Sequence, residues 1–186
     1  MRKIISLFKR NYDGDWLVRN EVVEGAEWVL NGEGRATRKW NGTCVLFEDG
    51  KMWRRFEVKN KKKPPIGFRP ADAVDPFTGK QQGWLLVGDG PEDRWHREAM
   101  DNDGCVPSDY EPGTYELVGP KVMGNPEEFE DHRLIKHGSS SLEAPRTFEG
   151  IREFLLSHNI EGIVWHHPDG RMVKIKTKDF IKGFAK

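Results

Sequence analysis

Cysteine is scarce in this sequence, and long apolar runs are missing. Two cysteines occur among 186 residues, Cys44 and Cys105, and neither belongs to a C-x-x-C pair of the kind that binds zinc. The opening segment MRKIISLFKR has too short an apolar run for a signal peptide, and a hydrophobic share of 36% does not indicate membrane insertion. We therefore expect a reduced, cytoplasmic protein with no cysteine zinc site and no membrane partner.

An excess of charge of either sign is also missing. The sequence has 30 basic and 30 acidic residues, so its formal net charge is zero. This balance excludes a surface that is positive throughout, and any site for nucleic acid must be a local basic face. The length suits a single domain over residues 1–186, and we expect a monomer.

Two β-hairpins are predicted from turn residues that lie between apolar runs. Residues 44–47 and 52–56 flank Asp49-Gly50, a dipeptide that suits the positive φ angles of a type I′ turn. A second hairpin is predicted across residues 162–175, around Pro168-Asp169-Gly170. Both hairpins favour antiparallel sheets.

The other segments make the predicted fold a mixed α+β fold. Thr147 is a candidate N-cap for a helix whose apolar positions, from Phe148 to Leu155, fall on one face. Residues 59–113 mix lysine, proline and glycine, and we interpret them as a long, loop-rich insertion. Further strands are predicted at Lys3–Phe8, Glu27–Leu30, Tyr115–Val118 and Leu134–Ile135.

Four short segments carry residues that suit nucleotide chemistry. They are Lys39-Trp40-Asn41-Gly42, Glu116-Leu117-Val118-Gly119, Glu161-Gly162-Ile163-Val164 and Val173-Lys174-Ile175-Lys176. Each alone is a weak signal, because Lys39 by itself would be read as an ordinary surface lysine. Lys174 and Lys176 alternate with apolar residues, as the side chains of any half-exposed strand do. The order of the four segments is the informative feature.

Together the segments resemble motifs I, III, IV and V of the covalent nucleotidyltransferases, the superfamily of ATP-dependent DNA ligases, RNA ligases and mRNA capping enzymes. Arg55 stands where the superfamily has the arginine of motif Ia, and the resemblance covers about residues 35–180. His137-Gly138 is one of the segments that add a likeness to the eukaryotic 5′-to-3′ RNA ligase family and its small viral and bacterial relatives. The chain departs from the pattern at Asn41, where aspartate is common, and at Arg38, where several relatives have an acid.

The resemblance implies a fold as well as a family. This fold is the α+β nucleotidyltransferase core, with two mainly antiparallel sheets, flanking helices and ATP in the cleft between the sheets. DNA ligases and capping enzymes of the superfamily ordinarily add an OB-fold domain after motif V, and only ten residues follow Lys176 here. We therefore expect no OB-fold domain, and an RNA ligase rather than a DNA ligase or a capping enzyme.

The implied reaction has three steps and would serve RNA repair. Lys39 takes AMP from ATP, the AMP passes to an RNA 5′-phosphate, and a 3′-hydroxyl attacks that activated end and releases AMP. A lysine must be neutral when it attacks, so neighbouring cations have to favour the amine. Lys174 and Lys176 are expected to supply that field and to contact the phosphates, while Mg²⁺ or Mn²⁺ aligns the leaving group.

The resemblance gives roles to residues around the nucleotide. Glu116 is expected to accept hydrogen bonds from the ribose, and Arg55 to contact the ribose or the incoming 5′-phosphate. Gly42, next to Asn41, would let the backbone turn tightly beneath the nucleotide. Phe148 would stack on adenine, although its place in an apolar helix stripe also predicts a core residue.

The metal is expected at a carboxylate. Glu161 corresponds to the motif IV acid that contacts the metal directly or through water, and Glu57 is a second candidate. His166-His167 resembles a metal pair, but consecutive side chains on a strand point to opposite faces, so we do not expect a zinc site there.

Two alternatives remain open. The first is another nucleotidyltransferase, either a DNA nick ligase helped by a partner or a guanylyltransferase, which labelling by GTP would reveal. The second is a module that binds nucleic-acid ends without transferring AMP, an option that Asn41 and Arg38 leave open. The run Lys61-Lys62-Lys63 is compatible with a phosphate-tracking surface and also with a solvated turn.

Overall fold

The computed structural model describes residues 4–181 of the chain, which form a mixed α+β structure. The strands are β1 (Ile5–Ser6), β2 (Phe8–Arg10), β3 (Val18–Val22), β4 (Arg35–Lys39), β5 (Thr43–Glu48), β6 (Lys51–Val58), β7 (Arg69–Pro70), β8 (Gln81–Leu86), β9 (Gly113–Val118), β10 (Arg133–Lys136), β11 (Gly162–His166) and β12 (Met172–Lys176). The helices are α1 (Glu27–Leu30), α2 (Arg94–Asp103) and α3 (Phe148–Ser157). The predicted α+β class is confirmed. None of the helices in residues 4–181 has the length and apolar character that crossing a membrane requires.

The contacts divide the chain into two compact units. The first unit comprises residues 41–137, and the second comprises residues 4–40 together with residues 138–181. Each unit has its own hydrophobic core. The chain therefore passes from the second unit to the first after Trp40 and returns after His137.

The second unit is built on a four-stranded sheet in the order β1-β12-β11-β4. Strand β1 runs parallel to β12, and the other pairs are antiparallel. Side chains alternate between the two faces of a strand, so Ile163 and Trp165 share one face with Val173 and Ile175 of the neighbouring strand. These four side chains are at most 1% exposed and form the core with α3. The opposite face carries the polar residues.

Helix α3 begins where the sequence predicts. The Thr147 side chain accepts a hydrogen bond from the backbone N–H of Gly150, one of the donors left unpaired at a helix start. Ile151 and Leu155, four residues apart, are fully buried against the sheet. The hairpin of β11 and β12 around residues 168–170 is also confirmed.

The first unit is built on a six-stranded antiparallel sheet in the order β10-β9-β5-β6-β8-β7. Strands β5 and β6 form the predicted hairpin, and Asp49 and Gly50 adopt positive φ angles of 53° and 65°. Phe47, Tyr115 and Ala99 of α2 belong to the core on one face of this sheet. A third, two-stranded sheet pairs β2 with β3 in the second unit.

The predicted strand at Glu27–Leu30 is wrong, because this segment is the one-turn helix α1. Trp28 and Val29 are both buried, which consecutive residues of a strand with one solvated face cannot be. The Arg146 guanidinium donates hydrogen bonds to the carbonyl oxygens of Val29, Glu33 and Gly34 at 2.6–2.7 Å. One carbonyl of the helix and two in the segment that follows it thus have a distant hydrogen-bond partner.

The predicted insertion at residues 59–113 contains more regular structure than expected. It includes β7, β8 and α2, a helix of ten residues. Helix α2 is mostly polar, and His96 and Ala99 are its buried residues. The predicted strand at Lys3–Phe8 is divided between β1 and β2, and Lys3 itself lies outside the described residues.

Candidate functional site

The predicted lysines converge on one face of the second unit's sheet. The antiparallel register pairs Lys39 of β4 with Gly162 of β11, and Gly162 with Lys176 of β12. Lys174 lies two residues before Lys176, so its side chain leaves the same face of the strand. Lys39, Lys174 and Lys176 therefore lie on two strands, β4 and β12, which flank β11, and on the face opposite the core.

Gly162 stands between two of these lysines because no larger residue fits. A Cβ at this position would overlap the carbonyl oxygen of Ile175 and crowd the Cα of Lys176. The close approach of β11 to β12 therefore requires glycine at this position. Glu161 immediately precedes it, at the edge of the lysine row.

Glu161 links two of the three lysines. Its carboxylate accepts a hydrogen bond from Lys39 Nζ and another from Lys176 Nζ, both at 2.5 Å. The Glu161 side chain is 14% exposed. Burial raises the pKa of this carboxyl, but the positive charges of Lys39 and Lys176 and their hydrogen bonds outweigh it and hold the pKa below its ordinary value of 4.5.

Lys174 is the lysine without a counter-ion. Among residues 4–181 its Nζ has no hydrogen-bond or ion-pair partner. Burial lowers the pKa of Lys174 to about 8, and the nearby charges of Lys176 and Lys39 lower it further than Glu161 raises it. Lys174 is partly buried, and an anion placed beside it would stabilise its charged form.

This face can hold an anionic group. Two lysines pair with one carboxylate and the third has no ion-pair partner among the described residues, so the row has a surplus of positive charge at neutral pH. Fixed cations of this kind are suited to a phosphate chain and to the charge that develops when a phosphoryl bond breaks. Lys39 is held in place by Glu161 and also donates to the carbonyl oxygen of Trp40 at 3.4 Å.

Glu116 and Gly42 come together in the first unit. Glu116 lies on β9, and a Cβ at Gly42 would overlap the Leu117 carbonyl oxygen and crowd the Glu116 side chain. Glycine is therefore the residue that lets the start of β5 pack directly on β9. Glu116 is 8% exposed, and its Oε2 lies 2.7 Å from His137 Nε2. Asn41 precedes Gly42 in the connection between β4 and β5.

Arg55 and Arg54 have different environments because adjacent strand residues face opposite sides of the sheet. Arg54 forms an ion pair with the buried Asp93 at 2.8 Å. Arg55 donates to Gln82 Oε1 at 3.2 Å and lies over the Trp84 ring, 4.8 Å from its centroid. Burial lowers the pKa of Arg55 below its ordinary value. Arg55 lies on the same sheet face as Glu116, the face opposite the core of this unit.

Glu57 lies two residues beyond Arg55 and also contacts Gln82. Its Oε2 accepts a hydrogen bond from Gln82 Nε2 at 2.6 Å, and its Oε1 pairs with Lys80 Nζ at 3.0 Å. Gln82 thus connects Arg55 to Glu57. Sequence reasoning missed Gln82, since a lone glutamine in a polar segment carries no signal until the pairing of β6 with β8 is known.

Phe148 belongs to the aromatic packing of the second unit. Its ring makes edge-to-face contacts with Phe8 and Phe180, at centroid distances of 4.9 and 5.4 Å. These contacts agree with the core role that the apolar helix stripe predicts. The adenine-stacking role of Phe148 stays a prediction.

The donor set for a metal is small. Residues 4–181 hold no group of three or more His, Cys, Asp or Glu side chains that could bind a metal ion by themselves. Mg²⁺ usually takes one or two protein carboxylates and completes its shell with water and phosphate oxygens. Glu161 suits this mode because it is a carboxylate next to cations that attract phosphate. Both candidate carboxylates have partners in the protein, Glu161 in Lys39 and Lys176 and Glu57 in Gln82 and Lys80.

His137 contacts Glu116, and the spacing of the motifs gave this histidine no role. Its role depends on the pairing of β10 with β9, which places the residue after β10 beside Thr114 and Glu116. In the sequence, His137 was noted only as part of the resemblance to the 5′-to-3′ RNA ligase family.

Comparison of the chain with protein-family models finds no match, and comparison with curated proteins finds none either. The likeness to nucleotidyltransferases therefore rests on the residues described above. The grouping of Lys39, Glu161, Lys174 and Lys176 is the structural observation that bears on it.

Proposed function

We propose that this protein is an ATP-dependent RNA ligase with the nucleotidyltransferase fold, and that Lys39 carries AMP as a covalent intermediate. Lys39 first gives up its ammonium proton to water; its Nζ lone pair then attacks the α-phosphorus of ATP, and the bond from that phosphorus to pyrophosphate breaks. A 5′-phosphate oxygen of RNA then attacks the same phosphorus, and the bond to Lys39 breaks. Finally an RNA 3′-hydroxyl attacks the activated 5′ end, which releases AMP and forms the phosphodiester.

The observation that carries this proposal is the row of Lys39, Lys174 and Lys176 on one sheet face beside Glu161. Glu161 holds Lys39 at 2.5 Å, which fixes the position of the nucleophile before ATP binds. Lys174 has no counter-ion among the described residues, so a triphosphate is a suitable partner for it. A merely structural ion pair would not require the third, unpaired lysine.

Glu161 is the carboxylate that would hold Mg²⁺ or Mn²⁺. A divalent metal, when bound, neutralises charge on the triphosphate and on the pyrophosphate leaving group. Glu116, Arg55, Asn41, Gly42 and Phe148 keep in this proposal the nucleotide contacts that the family likeness gives them.

RNA with a 5′-phosphate and a 3′-hydroxyl is proposed as the substrate because short segments of the sequence resemble those of the 5′-to-3′ RNA ligase family. A cytoplasmic location is part of the same proposal. Cys44 and Cys105 are free thiols, which is compatible with a reducing compartment.

A strand-joining assay tests the proposal. Two RNA strands, one with a labelled 5′-phosphate and one with a 3′-hydroxyl, are incubated with the protein, ATP and Mg²⁺, and the products are separated by length. We expect joined RNA and a transient adenylylated RNA, and neither with Lys39→Arg, which keeps the charge but not the nucleophile. Joining of DNA ends in preference to RNA, or labelling by GTP alone, would instead support the alternative nucleotidyltransferases.

A further inference from the structure

His137 is held in place by three contacts to one neighbouring strand. Its backbone N–H donates to the Thr114 carbonyl oxygen at 3.0 Å, and its Nδ1 lies 2.9 Å from Thr114 Oγ1. Its Nε2 lies 2.7 Å from Glu116 Oε2. Thr114 and Glu116 are two residues apart on β9, so both side chains leave the same face of the sheet. The imidazole therefore has one fixed position and a fixed ring orientation.

The hydrogen bond to Glu116 has a defined direction. A carboxylate oxygen only accepts, so His137 Nε2 donates the proton, and in the neutral ring Nδ1 accepts from the Thr114 hydroxyl. Glu116 thus selects the tautomer, and the Thr114 hydroxyl, which can donate or accept, is compatible with it. The His137 side chain, which is 24% exposed, is in this way held against the Glu116 carboxylate, which is 10% exposed.

Glu116 is left half satisfied by this arrangement. His137 occupies Oε2, and in the part of the chain that the structure describes Oε1 has no hydrogen-bond partner. Oε1 is not among the fully buried, unpaired side-chain atoms of the described residues, so it is open to solvent and to a ligand. Such an oxygen is prepared to accept a hydrogen bond from a ligand hydroxyl.

We propose that His137 is a positioning residue for nucleotide recognition, which holds one oxygen of Glu116 so that the other accepts a hydrogen bond from a ribose hydroxyl. The inference rests on the proposed function, because it takes ATP as the ligand. It adds the means by which the protein distinguishes a ribonucleotide from a deoxyribonucleotide. His137 itself does not touch the nucleotide.

Calorimetric titration with ATP, 2′-deoxy-ATP and 3′-deoxy-ATP tests this inference in a Lys39→Ala background, where no AMP is transferred. We expect ATP to bind about 10- to 100-fold more tightly than one of the two deoxy analogues. His137→Ala should reduce that ratio to about two or less, chiefly by weakening ATP binding. His137→Gln, which can still donate from a side-chain N–H, should restore part of the ratio.

Two further variants separate positioning from folding. Thr114→Val keeps the shape of the side chain but removes the hydroxyl that orients the ring, and should lower the ratio less than His137→Ala. His158→Gln, in an exposed histidine at the end of α3, should leave the ratio unchanged. A general folding defect would instead weaken all three nucleotides equally.

The outcomes distinguish this inference from the proposed function. If ATP binds and the ratio stays the same in His137→Ala, the positioning role is wrong while the ligase proposal stands. If the three nucleotides do not bind at all, the ligase proposal and the positioning role both fail. A ratio that falls in His137→Ala and recovers in His137→Gln supports the role.

Discussion

Lys39 and Glu161 are 122 positions apart in the sequence, and their side chains meet at 2.5 Å. The antiparallel pairing of β4 with β11 brings them together, and Lys176 on β12 reaches the same carboxylate from the other side. One acid thereby fixes the position of two lysines. The consequences for stability and activity can be measured separately.

Glu161→Gln should destabilise the fold and slow AMP transfer. The change leaves Lys39, Lys174 and Lys176 without a neutralising charge, and we expect a loss of about 1–3 kcal/mol at pH 7. The pKa of Glu161 is lower in the folded state than its ordinary value of 4.5. The ionised carboxylate therefore stabilises the fold above pH 4.5, and this stabilisation is lost as the pH falls through the folded-state pKa. Urea midpoints of wild type and variant should therefore converge at acid pH.

The control for this change is Glu149→Gln, an exposed acid whose nearest cation, Arg152, lies 3.9 Å away. It should alter the unfolding free energy by less than about 0.5 kcal/mol. A Glu161→Gln protein as stable as this control at pH 7 would count against the charge network.

Lys174→Met should stabilise the fold and abolish most AMP transfer. The folded-state pKa of Lys174 is lowered to about 8 from 10.5, so the charged lysine destabilises the folded state below pH 8. We expect the variant to gain about 1–3 kcal/mol at pH 7 and to lose most of that gain by pH 10, where the folded lysine is neutral. Urea unfolding at both pH values measures this difference.

The activity of the same variant tests the role of the charge. AMP transfer should fall by about 100-fold or more, because a cation that contacts the phosphates is missing. A variant that is more stable yet inactive would mark Lys174 as a functional residue. Full activity together with higher stability would make Lys174 dispensable.

Gly42→Ala should be more costly than alanine at another glycine of the same unit. The added Cβ would overlap the backbone carbonyl of Leu117, which cannot move without disturbing β9, and we expect a loss of about 3 kcal/mol. Gly67→Ala is the matched control, since Gly67 has a φ of +79° but open space around it. Its strain should cost about 1 kcal/mol. Equal urea midpoints for the two variants would contradict the close packing at Gly42.

Local signals in the sequence predicted the hairpins and the capped helix. Asp49-Gly50 specifies its turn by backbone preference, and Thr147 specifies the start of α3 by a hydrogen bond within three residues. The one-turn helix α1 could not be predicted in this way. The Val29 carbonyl in its only turn accepts a hydrogen bond from Arg146, more than a hundred residues away. Helix α2 was missed because seven of its ten residues are polar.

The candidate site was likewise predicted from the sequence only in part. The order of the motifs identified Lys39, Glu161 and the two strand lysines, and the structure groups them on one face. The contact of His137 with Glu116 depends on the register of β9 with β10, which no local pattern in the sequence specifies. A contact between side chains on neighbouring strands, such as this one, can be assigned only when the pairing of the strands is known.

The central claim is that Lys39 becomes covalently linked to AMP, and intact-mass measurement tests it most directly. Wild type and Lys39→Ala are incubated with ATP and Mg²⁺, after pyrophosphate treatment to remove any nucleotide already attached. We predict that wild type gains the mass of one AMP group and that Lys39→Ala gains nothing. A wild-type mass that does not change with ATP, GTP or NAD would contradict the account.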